Sequence, residues 1–247
     1  MVMADDKIQA GKGEKLEQLS KLTGQLAHEI KNPLSTIKIN LRLISEELAD
    51  LISSSEKSSE KADGRLGRAF RKISVVEKET DRLEQILDGF LRYLDRTELQ
   101  PGNVDLNELI SDMIDFYLPQ ASSHSITMRQ ALCDEKLVCR IDADMIKQVI
   151  LNLFINSQQA MPGGGELMVR TYREGDDAVI EICDTGCGIT SENLPHIFDV
   201  YYSSRPNGSG LGLPTAKKII EQHGGTIKVE SEHGKGTVFT IKLPILK

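Results

Sequence analysis

Leu99-Gln100-Pro101-Gly102-Asn103 is where the sequence changes its grammar, and the fold follows from that change. Proline removes a backbone donor and glycine adds freedom, so a helix is expected to end here. Before this stretch apolar residues recur at spacings of three and four; after it short alternating runs interleave with helical ones. Two domains of different kinds are therefore expected. A flexible polar start at 1–13 leads into a helical domain at 14–98, and a mixed α/β domain occupies 99–247.

On the helical side, from about Glu14, the stripe is Leu16, Leu19, Leu22, Leu26, Ile30, Leu34, Ile37, Leu41, Ile44, Leu48 and Leu51. Such a helix spans roughly 55–60 Å at about 1.5 Å per residue, and it cannot bury its stripe alone. Ser53 to Lys61 loses the pattern, and Gly64 and Gly67 punctuate the chain just beyond it. A second run then carries Leu66, Phe70, Ile73, Val76, Leu83, Ile86 or Leu87, Phe90 and Leu94. Two striped helices and a polar turn make an antiparallel hairpin, and two hairpins close a four-helix bundle, so a homodimer is expected. Midway along the first helix lies Leu26-Ala27-His28-Glu29-Ile30-Lys31-Asn32-Pro33-Leu34. His28 and Asn32 stand at i and i+4, and Glu29 and Asn32 at i and i+3, so a nucleophile-capable imidazole shares a surface with an acid and an amide. A kinked helix with an idle histidine would carry the same residues; their weight comes from the other domain.

On the mixed side, a helix is expected from Leu106 to about Pro119, with strands at 125–132 and 137–141. Asp142 caps a helix from Ala143 to Ala160, which Pro162-Gly163-Gly164-Gly165 ends. Runs 166–173 and 178–183 pair as a hairpin; a helix near 213–222 and strands at 226–230 and 237–243 complete the domain. Strands interleaved with helices, but with two hairpins, imply an α/β sandwich on a mixed sheet.

Three elements of this domain look suited to a nucleotide. Asn152 and Asn156 share one face of an otherwise apolar helix. A buried amide without a partner costs about 1–3 kcal/mol, so two on one stripe suggest a polar object beside them, and carboxamide oxygens suit Mg²⁺ bridging phosphates. Asp184-Thr185-Gly186-Cys187-Gly188 offers a carboxylate that can accept from an exocyclic amine such as that of adenine, with glycines admitting a flat ring. Gly208-Ser209-Gly210-Leu211-Gly212-Leu213 leads straight into a helix, and backbone N–H groups there form a phosphate site. Between the last two, Phe198, Tyr201, Tyr202, Ser203, Ser204 and Arg205 form a short segment that can close as a lid.

In that order and spacing, the Asn-x-x-x-Asn helix, D-x-G-x-G, the aromatic-basic lid and G-x-G-x-G resemble the ATP-binding domain of the histidine kinases, which the heat-shock chaperone and mismatch-repair clamp share. The upstream His-Glu-Ile-Lys-Asn-Pro-Leu narrows the resemblance to two-component sensor histidine kinases, over roughly residues 14–244. The fold implied is α+β in two domains: a helical hairpin of a dimeric four-helix bundle, then an α/β sandwich of the histidine kinase and heat-shock chaperone type. The activity implied is autophosphorylation of His28 from ATP with Mg²⁺, then transfer to an Asp on the receiver domain of a separate response regulator.

By the same resemblance Glu29 orients the His28 ring and takes its proton, and Asn32 positions a water for dephosphorylating the regulator. Pro33 marks the family's kink. Asn156 matches the Mg²⁺ ligand, Asn152 the residue nearer the γ-phosphate, and Asp184 the adenine-binding acid with Gly186 and Gly188 in its loop. Gly208, Ser209, Gly210, Leu211, Gly212 and Leu213 match the lid and phosphate loop, and Arg205 a phosphate-facing lid cation. Gln159 departs from the pattern, standing where many members carry Lys or Arg, and the short lid is similar to that of nitrogen-regulation-type kinases. The alternative reading is a non-kinase ATPase or clamp of the same superfamily.

Bulk properties fit. Thirty basic against 37 acidic residues give −7, which argues against nucleic acid or anionic membrane as partner. No apolar run approaches the roughly 18 residues of a membrane span, and the acidic start lacks a signal-peptide pattern, so a cytoplasmic location is expected. Cys133, Cys139, Cys183 and Cys187 show no zinc-like spacing, and reduced thiols are the default. The stimulus is expected from an unseen partner or from a longer protein of which this chain is the core, and no receiver pattern follows Leu243.

Overall fold

The computed structural model describes residues 26, 30–46, 48, 59–94, 99–203 and 210–246. These fall into two units, one helical and ending at Leu94, the other mixed and running onward from the linker.

The helical unit holds α1, residues 30–46, and α2, Ser59–Leu94. The expected stripe of α1 divides into two rows at seven-residue spacing. Ile30 and Ile37 are half-buried and Ile44 is buried, whereas Leu34, Leu41 and Leu48 are 49%, 50% and 41% exposed. The second helix divides likewise, with Ile86 and Phe90 buried but Leu87 and Leu91 exposed. Contrary to expectation, α2 begins inside the polar stretch and runs straight through Gly64 and Gly67. Two glycines cost about 1 kcal/mol each in a helix interior, a burden that a 36-residue helix rich in Glu, Lys, Arg and Leu carries.

The mixed unit is a two-layer sandwich. Strands β2 (Ile126–Ala131), β4 (Gly165–Glu174), β5 (Asp177–Asp184), β7 (Gly236–Pro244) and β6 (Thr226–Glu232) lie side by side in that order. Only β2 and β4 are parallel, so the sheet is mixed as expected. Helices α3 (Leu106–Ser123), α4 (Ala143–Ala160) and α5 (Gly212–Gln222) cover one face. Ile150, Leu153 and Phe154 of α4 meet Val169, Ile180, Ile182, Phe239 and Ile241 of the sheet in one core. Along β5, Ala178, Ile180 and Ile182 point into that core, and so does the fourth residue of the row, Asp184.

Two details differ from expectation. Gly102–Asp105, where the domain boundary and the approach to a helix are expected, is a strand, β1, paired antiparallel with β3 (Val138–Ile141). Helix α3 passes through Pro119 and ends at Ser123. Pro119 and Asp115, four residues before it, both face solvent, so the bond that the proline forgoes falls on the exposed side, while buried Tyr117 and Ala121 hold the last turn on the core.

Asp142 caps α4 as expected, its carboxylate accepting from the backbone N–H groups of Asp144 and Met145 at 3.2 Å each. Burial alone would raise its pKa, but these donors and a third, the Gln100 backbone N–H, hold the carboxyl below its ordinary value. A depressed acid stabilises the fold fully above its unfolded pKa of about 3.9 and loses that contribution as pH falls toward the folded value. The stability gap between the wild type and Asp142→Asn, read from urea midpoints, is expected to be full at pH 7 and to shrink below about pH 4.

Candidate nucleotide site

Helix α4 is the spine on which the candidate residues meet. Asn152 and Asn156 are half-buried on one side of it, while Leu153 and Phe154 are wholly buried on the other. The Asn152 carboxamide nitrogen donates to the Gly212 carbonyl at 3.3 Å, which brings the first residue of α5 to α4. Leu211, before α5, provides no side-chain cap, so the helix start presents backbone N–H groups at the end where its dipole is positive. Thr215, one turn in, donates its hydroxyl back to the Leu211 carbonyl at 2.7 Å and braces the turn.

Five residues along α4 from Asn152, Ser157 donates its hydroxyl to Asp184 Oδ2 at 3.1 Å. The other oxygen, Oδ1, accepts from the Gly186 backbone N–H at 2.9 Å. Asp184 is only 6% exposed, so both bonds offset the cost of burying its charge. Gly186 is required by contact: a Cβ there would stand 2.7 Å from the Ala160 Cβ and 2.8 Å from Asp184 Oδ1. The loop is pinned on both sides. Cys187 N donates to the Ala160 carbonyl at 3.0 Å, and Gly234 N to the Cys187 carbonyl at 2.8 Å. Gly188 comes next within it, and a Cβ there would collide with the Glu232 carbonyl.

The root of the lid segment is closed by a backbone pair, Tyr201 N donating to the Gly210 carbonyl at 2.9 Å. Gly210 has φ +64°, and a Cβ on it would meet the Tyr201 carbonyl carbon at 2.4 Å, so only glycine fits. Tyr202 donates its hydroxyl to Asn193 Oδ1 at 2.7 Å and packs against His196 with the rings tilted by 42° and their centroids 5.5 Å apart. The Lys217 ammonium of α5 lies 5.5 Å from the Phe198 ring centre.

The structure thus brings Gly210, Leu211, Gly212, Leu213, Asn152, Asn156, Asp184, Gly186 and Gly188 to one side of the sandwich. His28, Glu29, Arg205, Gly208 and Ser209 lie outside the described residues. Asn32 is exposed on α1 in the helical unit, and Pro33 is buried within the same run. Ser157 was not singled out from the sequence. A signal existed: the alternation that places Ala178, Ile180 and Ile182 in the core places Asp184 there too, and a buried acid needs a donor from the facing helix. Among the described residues no cluster of three His, Cys, Asp or Glu could hold a metal, and the amide oxygen of Asn156 is a hard donor of the kind Mg²⁺ takes.

Residues 141–247 match the family model of the histidine kinase-, DNA gyrase B-, and HSP90-like ATPase, and residues 18–98 that of the His Kinase A (phospho-acceptor) domain. The sensor histidine kinase ZraS of Klebsiella oxytoca is 37% identical over 235 residues, 94% of this chain and 47% of that protein. Sporulation kinase E of Bacillus subtilis (strain 168) is 31% identical over 235 residues, 95% of this chain and 30% of its own length. The chain therefore spans less than half the length of these curated relatives. Among solved structures, histidine kinase ThkA in complex with the response regulator protein TrrA matches with TM-score 0.70 and 25% identity, covering 94% of this chain and 64% of the kinase. The ThkA catalytic domain alone matches with TM-score 0.55 and 28% identity over 59% of this chain and 96% of that one.

Gly186→Ala is expected to displace Asp184 and to weaken binding of an ATP analogue by about tenfold or more, as the loss of one charge-assisted bond of about 1.5–3 kcal/mol implies. Calorimetric titration checks this, and the same substitution at Gly163, where a Cβ meets nothing within 4 Å and φ is not positive, is the control.

Proposed function

The chain belongs to the two-component histidine kinases, whose catalytic core it contains, and from that premise we propose that it autophosphorylates His28 from Mg²⁺-ATP and passes the phosphoryl group to a response regulator. What carries the reading is the continuous line Gly212–Asn152–Asn156–Ser157–Asp184, which can serve phosphate at one end and a base amine at the other. Adenine donates its exocyclic amine to Asp184, and the α5 start receives phosphate oxygens through its N–H groups. Asn156 would hold Mg²⁺ through its amide oxygen, and the ion would supply charge neutralisation for the phosphates; Asn152 would stand nearer the γ-phosphate. Arg205, Gly208 and Ser209 belong to the lid that closes over the phosphates.

The His28 outer ring nitrogen attacks the γ-phosphorus as the bond to the β,γ-bridging oxygen breaks and ADP departs. Glu29 holds the other ring nitrogen and takes its proton, leaving a neutral phosphorylated ring. The phosphoryl group then passes to an aspartate oxygen of a receiver domain on another chain. The bare row Leu34, Leu41 and Leu48 supports a homodimer, because a second copy offers the apolar surface that would cover it. Among the described residues no helix is long and apolar enough to cross a membrane; we place the reaction on the cytoplasmic side, where ATP and receiver domains are met. A bare ATPase or clamp is not favoured, since it gives the phospho-acceptor domain no task.

Incubation with γ-labelled ATP is expected to place acid-labile label on the wild type and none on His28→Gln; label on the variant would refute His28 as the acceptor. Asn32→Ala is expected to autophosphorylate within about twofold of the wild type but to dephosphorylate its regulator at least about tenfold more slowly. Equal dephosphorylation rates would remove Asn32 from that step.

A further inference from the structure

Asp142 does more than cap α4. A cap needs one oxygen, and Asn or Ser supplies it about as well as Asp. Here Oδ1 alone serves the cap, accepting from Asp144 N and Met145 N. The second oxygen, Oδ2, accepts from the backbone N–H of Gln100 at 3.0 Å, in the stretch that enters the mixed unit from α2. Asp142's own N–H donates to His223 Nε2 at 3.0 Å, and His223 Nδ1 lies 2.7 Å from the Ile219 carbonyl. An amide can only donate and a carbonyl can only accept, so Nε2 accepts from the Asp142 N–H and Nδ1 donates to the Ile219 carbonyl. His223 is the C-terminal cap residue of α5.

One buried residue therefore ties three things together: the entering segment, the start of α4 and the end of α5. The same two helices carry the nucleotide site farther along. Asn152 lies about 15 Å from Asp142, ten residues at about 1.5 Å each, and the Gly210–Gly212 turn begins α5. A packed helix moves as a body, so a shift at one end is felt at the other.

We propose that Asp142 is a positioning residue that clasps the entering segment at Gln100 to the nucleotide-holding helices, so that the position of that segment and nucleotide binding influence one another. This rests on the nucleotide reading of the site. It assigns Asp142 no contact with ATP and makes the clasp the point where a movement arriving along the chain reaches Asn152 and the α5 start. Coupling of this kind is reciprocal: if nucleotide tightens the clasp, releasing the clasp must weaken nucleotide by the same factor.

Two substitutions in the whole chain release the clasp by different chemistry. Asp142→Asn retains an oxygen for the two N–H groups of the cap and turns an amide donor toward the Gln100 N–H. Gln100→Pro removes that N–H and leaves Asp142 intact. Hydrogen exchange of residues 99–105 is followed with and without a non-hydrolysable ATP analogue, and its affinity is measured by calorimetry.

In the wild type the analogue is expected to slow exchange there by about fivefold or more. Both variants are expected to lose that slowing and to bind the analogue more weakly by the same factor, while the amides of Asp144 and Met145 stay protected in Asp142→Asn. Unchanged exchange in the wild type, or wild-type affinity in both variants, overturns the proposal. Neither readout needs phosphoryl transfer. A wild type that shows the coupling yet never labels His28 refutes the autokinase reading and leaves this one standing; a wild type that binds no analogue overturns both.

Discussion

A carboxylate placed on the core-facing side of a central strand must find donors, and the mixed unit is arranged to supply them to Asp184. Ionised carboxyls are costly to bury unless paired or hydrogen-bonded. The donors come from opposite directions: Ser157 from the helix above and Gly186 from the chain that turns back beneath it. The first fixes the position of α4 against β5, and the second fixes the path of the loop. Because Asn156 precedes Ser157 and Asn152 lies one turn before it, meeting Asp184's requirement also sets where both amides stand. Asn152 in turn holds the α5 start through the Gly212 carbonyl. A single electrostatic constraint thus propagates along one helix to the whole candidate site.

The helical unit is governed by a different constraint, the apolar surface a single chain leaves bare. Seven-residue rows at Ile30, Ile37, Ile44 and at Leu34, Leu41, Leu48 are the two sides of one seam, and only the first is covered. On the proposed reading the acceptor belongs to one unit and the nucleotide to the other, and the segment around Gln100 lies on the chain that joins them.

Much of this was legible in the sequence because it is local. The 3.6-residue period that places Asn152 and Asn156 on one face is a property of a helix, whatever packs on it. The Asp142 cap, the glycine stop after Ala160 and the hairpin around Gly175 are equally short-range, and they stand where expected. What escaped notice was either long-range or permissive. Strand β1 exists only because β3, some 35 residues away by register, lies beside it. Pro119 ends no helix because its lost bond falls on the wet side, a fact that needs the neighbouring layer. Gly64 and Gly67 break nothing because the flanking helix is long enough to carry them.

The sequence by itself determined the two-part architecture, the family, the residue types at the site and their order. Each of these rests on periodicity, on turn chemistry or on the spacing of motifs, which are encoded within a few residues. Only the tertiary structure decided that Ser157 serves Asp184, that one row of the α1 stripe is covered and the other bare, and that Asp142 reaches both Gln100 and His223. These are contacts between residues tens of positions apart. Their existence depends on how the layers pack and on which buried polar groups must share donors, and no local pattern in a chain records that.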